Sequence, residues 1–343
     1  MMSLMHIETL SIPDILQRML EDDHALQALA QALAADVPDL MITVARGSSD
    51  HAAAYFGHAL MSQVGVPCLS IPLSLVSLQR APLRLKNAWV AAFSQSGKSP
   101  DLIDSVERLQ QLGAKAAAFV NTPASPLAQV CDTPLLLPAG LEQSVAATKS
   151  FVAMLMAGVQ LTASLAASLT GSRALSDALP PLPTQMRAAA EHDWSKAVAL
   201  LTAADKMLVI GRGSALPIAQ EAALKLKETS GIQAEAFSSA EVRHGPMEII
   251  EPGYPVLVFA PSGPEQAGTL AFVDDMRKRG ANVLVVALLG TAELDLASEP
   301  TGHPLLEPFT MIQGFYLMAA RLAQARGRDP DQPRFLKKVT ETR

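Results

Sequence analysis

The sequence predicts an α/β protein with two tandem, doubly wound, five-stranded parallel sheets flanked by helices. Short apolar runs of β type alternate with longer helical patterns, which is typical of parallel sheets covered on both faces. The same landmarks then recur at a constant distance, so the alternation is laid out twice. A length of 343 residues suits two domains of ordinary size.

The repeat is defined by glycines that follow or precede matching apolar runs. The pairs, with offsets of 166, 166 and 167 residues, are Gly47 and Gly213, Gly97 and Gly263, and Gly113 and Gly280. Three landmarks in one register indicate two copies of one α/β unit, which we call the first copy and the second copy.

The remaining segments complete the expected domain organisation. Ile12 to Ala34 has spaced apolar positions typical of helices laid on a fold. The prolines of "ALPPLPT", Ala178 to Thr184, exclude a continuing helix and mark a linker. The expected boundaries are N-terminal helices 1–34, first copy 35–177, linker 178–190, second copy 191–328 and a polar C-terminal tail 329–343.

Composition narrows the class of function. The formal charge is −6 and no run of Lys or Arg stands out, which argues against a nucleic-acid partner. Cys68 and Cys131 lie in apolar surroundings without Cys-x-x-Cys spacing, so we expect core residues rather than a disulfide or zinc site.

Two segments bear on localisation. The N-terminus lacks the basic region of a secretory signal, so we expect a cytoplasmic protein. Residues 150–171 carry no charge and are long enough to span a membrane. Because this segment is rich in Ala and contains Gln160, we interpret it as a buried helix and expect no membrane partner.

The stretch "FSQSGKSPD", Phe93 to Asp101, resembles the end of a nucleotide-binding P-loop but lacks its first glycine, since Ala92 stands there. It offers short polar side chains around Gly97, and Ser99 is placed as a helix N-cap before Pro100. Such a loop can bind one phosphate without a lysine. The alternative is a polar turn that only caps a helix.

A second loop supports the anion site. Ser48 and Ser49 follow the preceding strand, and ligands of open α/β sheets bind beyond the carboxyl ends of the strands. The second copy has Leu216 where a dinucleotide fingerprint needs its third glycine, so a Rossmann cofactor has weak support. His51 and His58 have no further metal-ligand pattern and are interpreted as packing or surface residues.

The densest group of chemically active side chains lies in the second copy. In a helix from Ile218 to Ser230, Glu221, Lys225 and Glu228 share one face. His244 follows in a turn with Gly245 and Pro246. Spacing alone also fits an ordinary surface stripe of charges. A carboxylate and a histidine beside a phosphate site would suit proton transfer on a sugar phosphate.

These motifs resemble the sugar isomerase (SIS) domain family, in particular the tandem isomerase half of glucosamine-6-phosphate synthase and stand-alone SIS-type glucosamine-6-phosphate deaminases. The matching pieces occur in the family's order and cover nearly the whole chain. They are "RGSSDHA", "SQSGKSPD", "EQSVAATKSF", "GRGSALPIAQEAALKLKETSGIQAEAFSSAEVRHGP" and "PRFLKKVT".

The resemblance implies roles for individual residues. Glu228 matches the base that moves a proton between C1 and C2, and His244 matches a ring-opening histidine that reaches the site from a neighbouring subunit, which implies a homodimer. Lys338, or Lys337 in another alignment, matches a lysine that forms a Schiff base with the open sugar. The implied phosphate ligands are Ser49, Ser94, Gln95, Ser96 and Ser99, the supporting polar residues Glu221 and Lys225, and the pocket residues Gly47, Ser48, Val145 and Ala146.

The implied activity is glucosamine-6-phosphate deamination, without a metal or organic cofactor. Alternatives are a phosphosugar isomerase, a fructosamine-6-phosphate deglycase, a glutamine-independent relative of the synthase, or a non-catalytic sugar-phosphate-binding regulator. Because the resemblance covers the isomerase half, we expect no glutamine hydrolysis by this chain. The positions that depart from the synthase pattern, and bear on which sugar is bound, are Arg46, Asp50, Lys98, Ser99 and Ala147.

Overall fold

The computed structural model describes residues 2–338. It comprises two compact units. The unit that holds the first copy contains Asp14–Glu142, Lys149–Pro180 and, at the C-terminal end, residues 337–338, whereas the unit that holds the second copy contains residues 2–13, Gln143–Thr148 and Pro181–Leu336. The exact domain boundaries expected from the sequence stay predictions.

The first copy contains a five-stranded parallel sheet of order β2-β1-β3-β4-β5. Its strands are β1 (Leu40–Val44), β2 (Cys68–Ser70), β3 (Ala88–Ser94), β4 (Lys115–Val120) and β5 (Thr133–Leu136). The helices up to residue 180 are α1 (Leu4–Leu10), α2 (Ile12–Glu21), α3 (His24–Ala35), α4 (Ser48–Val64), α5 (Leu73–Ser77), α6 (Pro100–Gln111), α7 (Pro126–Val130), α8 (Lys149–Thr170) and α9 (Ala174–Ala178).

The core of the first copy lies on both faces of this sheet. On one face, apolar residues of β1, β3 and β4 pack under α5, α6 and α7. On the other face, Phe56 of α4 packs on Phe93 and Phe119, and α8 packs on α4. The rings of Phe93 and Phe119 are stacked with centroids 4.4 Å apart. Gly158 allows α8 to approach α4, since a Cβ there would stand 3.0 Å from Phe56.

Helix α8 contains the uncharged segment singled out in the sequence. Among the described residues it is the one helix long and apolar enough to cross a membrane, and 78% of its most apolar window is buried inside the structure. Burial of this kind agrees with the interpretation as a core helix, because a helix that is apolar all round needs protein on all sides.

The second copy repeats the arrangement. Its strands are β6 (Lys206–Gly211), β7 (Gln233–Ser238), β8 (Pro255–Phe259), β9 (Asn282–Leu288) and β10 (Leu296–Ser298), in the order β7-β6-β8-β9-β10. Its helices are α10 (Leu182–Ala189), α11 (Ser195–Leu201), α12 (Ala215–Lys225), α13 (Gln266–Lys278) and α14 (Glu307–Ala325). Both sheets are parallel and run in the same order, which confirms the predicted fold class.

The segments outside the sheets differ in detail from expectation. Helix α9 ends at Ala178, and residues 179–181 are not helical, as the prolines predicted. The rest of the proline-rich segment forms the start of α10, because proline is tolerated at the first helical positions. Near the C-terminus, Asp331 is ordered: its carboxylate accepts the Leu4 and Met5 amides at 2.7 Å each.

Candidate active site

The site begins at the edge of the first sheet where strand order reverses. Strands β1 and β3 are neighbours, with Val44 opposite Ala92, so the loops that follow them leave the sheet at the same level. Their helices α4 and α6 then start from this edge. In a sheet of this order, the crevice between these two loops is the expected ligand position.

The loop after β3 is shaped by its own serines. The hydroxyl of Ser94 is buried and accepts the Gly97 amide at 3.0 Å, and the hydroxyl of Ser96 accepts the Lys98 amide at 3.3 Å. Gly97 has φ +61°, and a Cβ there would stand 2.2 Å from Oγ of Ser125, so the position requires glycine. Lys98 is exposed.

Ser99 takes the predicted place before α6, with Pro100 as the first helical residue, but its side chain caps no helix amide. The turn therefore does not use this hydroxyl for the capping role that the simpler interpretation required. The hydroxyl lies beside helix amides that have no intrahelical partner, where an anion is favoured.

An ion pair ties the two loops together. Nε and Nη2 of Arg46, in the loop after β1, donate to Oδ2 of Asp101 in the first turn of α6 at 3.0 and 2.9 Å. Asp101 is buried, whereas half of the Arg46 side chain is exposed. Ser48 and Ser49 start α4 beside this contact and are half-buried.

A cleft of about 320 Å³ opens next to the Arg46 loop. It is lined by Ala45, Arg46, Gly47, Asp50 and residues 70–73. Burial raises the pKa of Asp50, while His51, the Ser70 hydroxyl and Arg46 act in the opposite direction. Arg46 and Asp50, two residues that depart from the synthase pattern, thus line the same cleft.

The unit that holds the second copy contains the predicted charge cluster. Helix α12 ends at Lys225 and continues as a π-helix, Leu226–Ser230, which contains Glu228. The Lys225 ammonium lies 3.4 Å from Oε1 of Glu221 and 2.5 Å from Oε2 of Glu228. The three side chains are therefore in contact, as their spacing predicted.

Burial distinguishes this cluster from a surface stripe. The side chains of Glu221 and Lys225 are 0% and 1% exposed, and that of Glu228 is 20% exposed. The hydroxyl of Tyr316, on α14, donates to Glu221 at 3.1 Å. Within this cluster Glu228 is the carboxylate that a ligand can reach, while Lys225 and Glu221 support it from below.

Not every predicted residue joins the cluster. His244 lies in the exposed turn Glu241–His244, and the structure gives it no hydrogen bond to Glu228. Segment Gln143–Thr148 belongs to the same unit. There Val145 is half-buried and its amide donates to the Asp331 carbonyl at 3.1 Å, but Ala146 is 1% exposed, so its side chain is covered.

The tail lysine has a partner that sequence reasoning missed. In the first unit, Nζ of Lys338 donates to Oε2 of Glu142 at 2.8 Å, while Lys337 is exposed. Glu142 is buried and also accepts the amide and hydroxyl of Ser150 at 3.1 and 2.6 Å. A lone carboxylate, Glu142, shortly before the uncharged residues 150–171 was the signal available in the sequence.

Two carboxylates, Glu307 and Glu265, lie against loops of the second copy. The amide and hydroxyl of Ser262 donate to Oε2 and Oε1 of Glu307, each at 2.5 Å. Burial raises the pKa of Glu307, and the two bonds from Ser262 act in the opposite direction. A Cβ on Gly213 would stand 3.0 Å from Glu265, whereas a Cβ on Gly47 would meet nothing within 4 Å.

The described residues show no arrangement that indicates metal binding or a reactive thiol. Among residues 2–338, no group of three or more His, Cys, Asp and Glu side chains is arranged to hold a metal ion. His51 and His58 are half-buried on α4. Burial raises the pKa of both free cysteines, Cys68 and Cys131, to about 12, which keeps the thiols protonated and unreactive.

Comparison with known proteins identifies the class that this fold and these loops define. The model of the SIS domain matches residues 39–164 and 200–301, one segment in each copy. The chain belongs to the SIS domain family.

Named relatives narrow the relationship. Glutamine--fructose-6-phosphate aminotransferase [isomerizing] from Aeropyrum pernix is 40% identical over 269 residues, which is 73% of this chain and 43% of the relative. The aminotransferase of the same name from Thermococcus kodakarensis is 33% identical over 331 residues, or 92% of this chain and 54% of the relative. The chain thus spans about half the length of these aminotransferases.

Solved structures with the same fold cover nearly the whole chain. A candidate phosphosugar isomerase from Silicibacter pomeroyi DSS-3 has a TM-score of 0.88 and 38% identity, covering 96% of this chain and 100% of the other. Glucosamine-6-phosphate deaminase from Thermotoga maritima has a TM-score of 0.79 and 21% identity, covering 99% and 100%. The second likeness is one of fold alone.

Proposed function

We propose that the chain is a phosphosugar aldose-ketose isomerase acting on an amino sugar phosphate, and specifically a glucosamine-6-phosphate deaminase. The observation that carries this proposal is the buried Glu221–Lys225–Glu228 cluster, in which Glu228 alone is partly exposed. Two carboxylates and an ammonium are costly to bury, and a buried set that ends in a reachable base is typical of catalysis.

The proposed proton transfer uses Glu228. After ring opening assisted by His244, the Glu228 carboxylate removes the proton from C2 of the open-chain sugar, and the aldehyde oxygen takes up a proton to become a hydroxyl. Glu228 then returns its proton to C1, leaving a protonated imine at C2. Water adds to this carbon and ammonia leaves, which gives fructose 6-phosphate. A placed carboxylate contributes about 10² to 10⁴-fold to such a step.

Lys225 supports this role of Glu228. Its ammonium donates to one oxygen of Glu228, so the other oxygen is left to accept the substrate proton. On its other side the Lys225 ammonium faces Glu221 at 3.4 Å, and the Tyr316 hydroxyl donates to Glu221. The cluster therefore fixes the orientation of the base, which is what transfer between adjacent carbons requires.

The phosphate is assigned to the first copy. Its loops offer the hydroxyls of Ser49, Ser96 and Ser99 near the starts of α4 and α6, with Ser94 shaping the turn. Exposed Lys98 has no part in this assignment, because hydroxyls and helix amides bind one phosphate without a lysine. Lys338, held by Glu142, matches the lysine for which the resemblance implies a Schiff base, but the proton transfer proposed above forms no bond to it.

A homodimer completes the proposal. His244 is exposed on its turn, which supports a role in the active site of the neighbouring subunit rather than within its own unit. Glu228→Gln and His244→Ala chains, each inactive alone, should recover part of the wild-type activity when mixed and refolded, since some sites then contain both groups. No recovery would contradict donation of His244 across the interface.

The activity is tested by incubating the purified chain with glucosamine 6-phosphate and measuring ammonia and fructose 6-phosphate together. Equal amounts of both products support deamination. Isomerisation of glucose 6-phosphate without ammonia, or cleavage of a fructosamine 6-phosphate, would replace the proposed reaction with an alternative on the same site. Binding without turnover of any of these substrates would favour a regulator.

A further inference from the structure

The loop after β8 in the second copy holds an internal carboxylate. Both oxygens of Glu307, the first residue of α14, accept hydrogen bonds of 2.5 Å from the amide and hydroxyl of Ser262. Glu307 is 3% exposed. One residue thus binds both oxygens of an anion that is almost fully removed from water.

This loop is the counterpart of the proposed phosphate loop. Ser262 and Gly263 lie at the repeat offset of 166 residues from Ser96 and Gly97. Each loop follows the strand next to the point where strand order reverses, β3 in one sheet and β8 in the other. An amide and a hydroxyl that donate to one oxyanion are the same kind of contact that a phosphate group accepts.

Glu265 is a second carboxylate beside the loops of the second copy. Glu265 stands at the repeat offset from Ser99, before α13. Its carboxylate lies against Gly213, 3.0 Å from where a Cβ would stand. The matching Gly47 in the first copy has open space at this point. Glu265 therefore places negative charge in the second copy where the first copy has the Ser99 hydroxyl, and Glu307 adds a second carboxylate at the loop after β8.

We propose that the second copy retains an oxyanion site and that Glu307 is its resident ligand. The site would accept inorganic phosphate or a phosphate monoester once this carboxylate is removed, and the carboxylate limits the chain to one sugar phosphate. The inference does not depend on which substrate the first copy binds.

The test uses the full chain with Ser96→Ala as the parent, so that phosphate binding by the first copy is weakened throughout. Into this parent we introduce Glu307→Ala, Glu307→Ala with Glu265→Ser, and Glu307→Gln. The probe is inorganic phosphate at constant ionic strength. Its binding is measured by calorimetric titration and by the shift in Tm. Glu307→Gln is the matched control, because its amide keeps the loop filled.

Both Glu307→Ala variants should bind one additional phosphate per chain, with half-saturation at a concentration at least about tenfold lower than in the parent or in Glu307→Gln, about 1.4 kcal/mol. The variant with Glu265→Ser should bind more tightly. If an alanine variant is unfolded without phosphate, recovery of its native circular dichroism with phosphate but not chloride is the equivalent result.

Folded alanine variants that bind no more phosphate than the parent would overturn the proposal. So would an unfolded variant that phosphate does not restore, or equal phosphate binding by Glu307→Gln. A failure of the proposed enzyme activity would leave all of these outcomes unchanged, because none of them uses a sugar or a turnover measurement.

Discussion

The two copies have the same strand order and the same loops, but the loops differ in what they contain. In the first copy, the loop after β3 carries serines and ends at an N-cap hydroxyl that the helix does not use. In the second copy, the corresponding loop binds the internal carboxylate of Glu307. One framework thus carries a loop that we propose to bind phosphate and a loop that is filled by a carboxylate.

We interpret this difference as a proposed division of tasks between the two copies. The second copy, whose loop is filled, carries the buried Glu221–Lys225–Glu228 cluster on α12 and the π-helix. π-helical turns are rare and occur frequently at functional sites. Binding is assigned to the first copy and proton transfer to the second, and the following predictions test that division.

The largest expected effect comes from the base. Glu228→Gln keeps the size of the side chain but cannot take up the substrate proton, so kcat should fall by about 10² to 10⁴-fold. Binding of fructose 6-phosphate, measured by calorimetry, should change little. The matched control is Glu251→Gln, at an exposed carboxylate of the same unit. Activity equal to wild type in Glu228→Gln would remove this residue from the mechanism.

The second prediction compares the same position in the two copies. Ser96→Ala should raise KM by about 10 to 100-fold, since a hydrogen bond to a charged group is worth about 1.5–3 kcal/mol. Ser262→Ala should leave KM nearly unchanged and lower the free energy of unfolding by about 1–3 kcal/mol, because Glu307 loses a partner. Lys98→Ala is the loop control and should alter KM far less than Ser96→Ala.

Urea unfolding and steady-state kinetics on these variants separate the two effects. If Ser262→Ala raised KM while Ser96→Ala affected only stability, the assignment of the two loops would be reversed.

The smallest effect concerns pH. Burial raises the folded-state pKa of Glu307 above its ordinary value of 4.5, so the folded state holds this proton more tightly. Its contribution to stability is complete below that value and is lost as pH rises through the folded-state pKa. Relative to wild type, Glu307→Gln should therefore gain stability as pH rises from 4.5, by about 1.4 kcal/mol per unit of pKa difference.

Chemical denaturation at several pH values measures this slope. A stability difference between Glu307→Gln and wild type that stays constant with pH, or falls as pH rises, would show that Glu307 titrates as an ordinary carboxyl.

Much of the architecture could be predicted from the sequence because short local patterns mark each copy of the repeat. Gly47, Gly97 and Gly113 follow or precede apolar runs, and the same pattern 166–167 residues later predicts a second sheet. The contact among Glu221, Lys225 and Glu228 followed from helical spacing, although the π-turn that holds Glu228 did not.

Other parts depend on contacts between residues far apart in the sequence. Nothing local indicates that Glu142 pairs with Lys338, 196 residues away, or that Glu307 binds Ser262, 45 residues away. Spacing also could not separate a buried cluster from a surface stripe, because burial is decided by packing partners such as Tyr316 on α14.

A crystal structure of the chain with fructose 6-phosphate tests the division between the copies most directly. We expect phosphate density at the loop from Ser94 to Ser99, within hydrogen-bond distance of Ser96 and the α6 amides, with Ser262 still bound to Glu307. Phosphate at Ser262 with Glu307 displaced, or phosphate held by Lys98 away from the serines, would contradict the account.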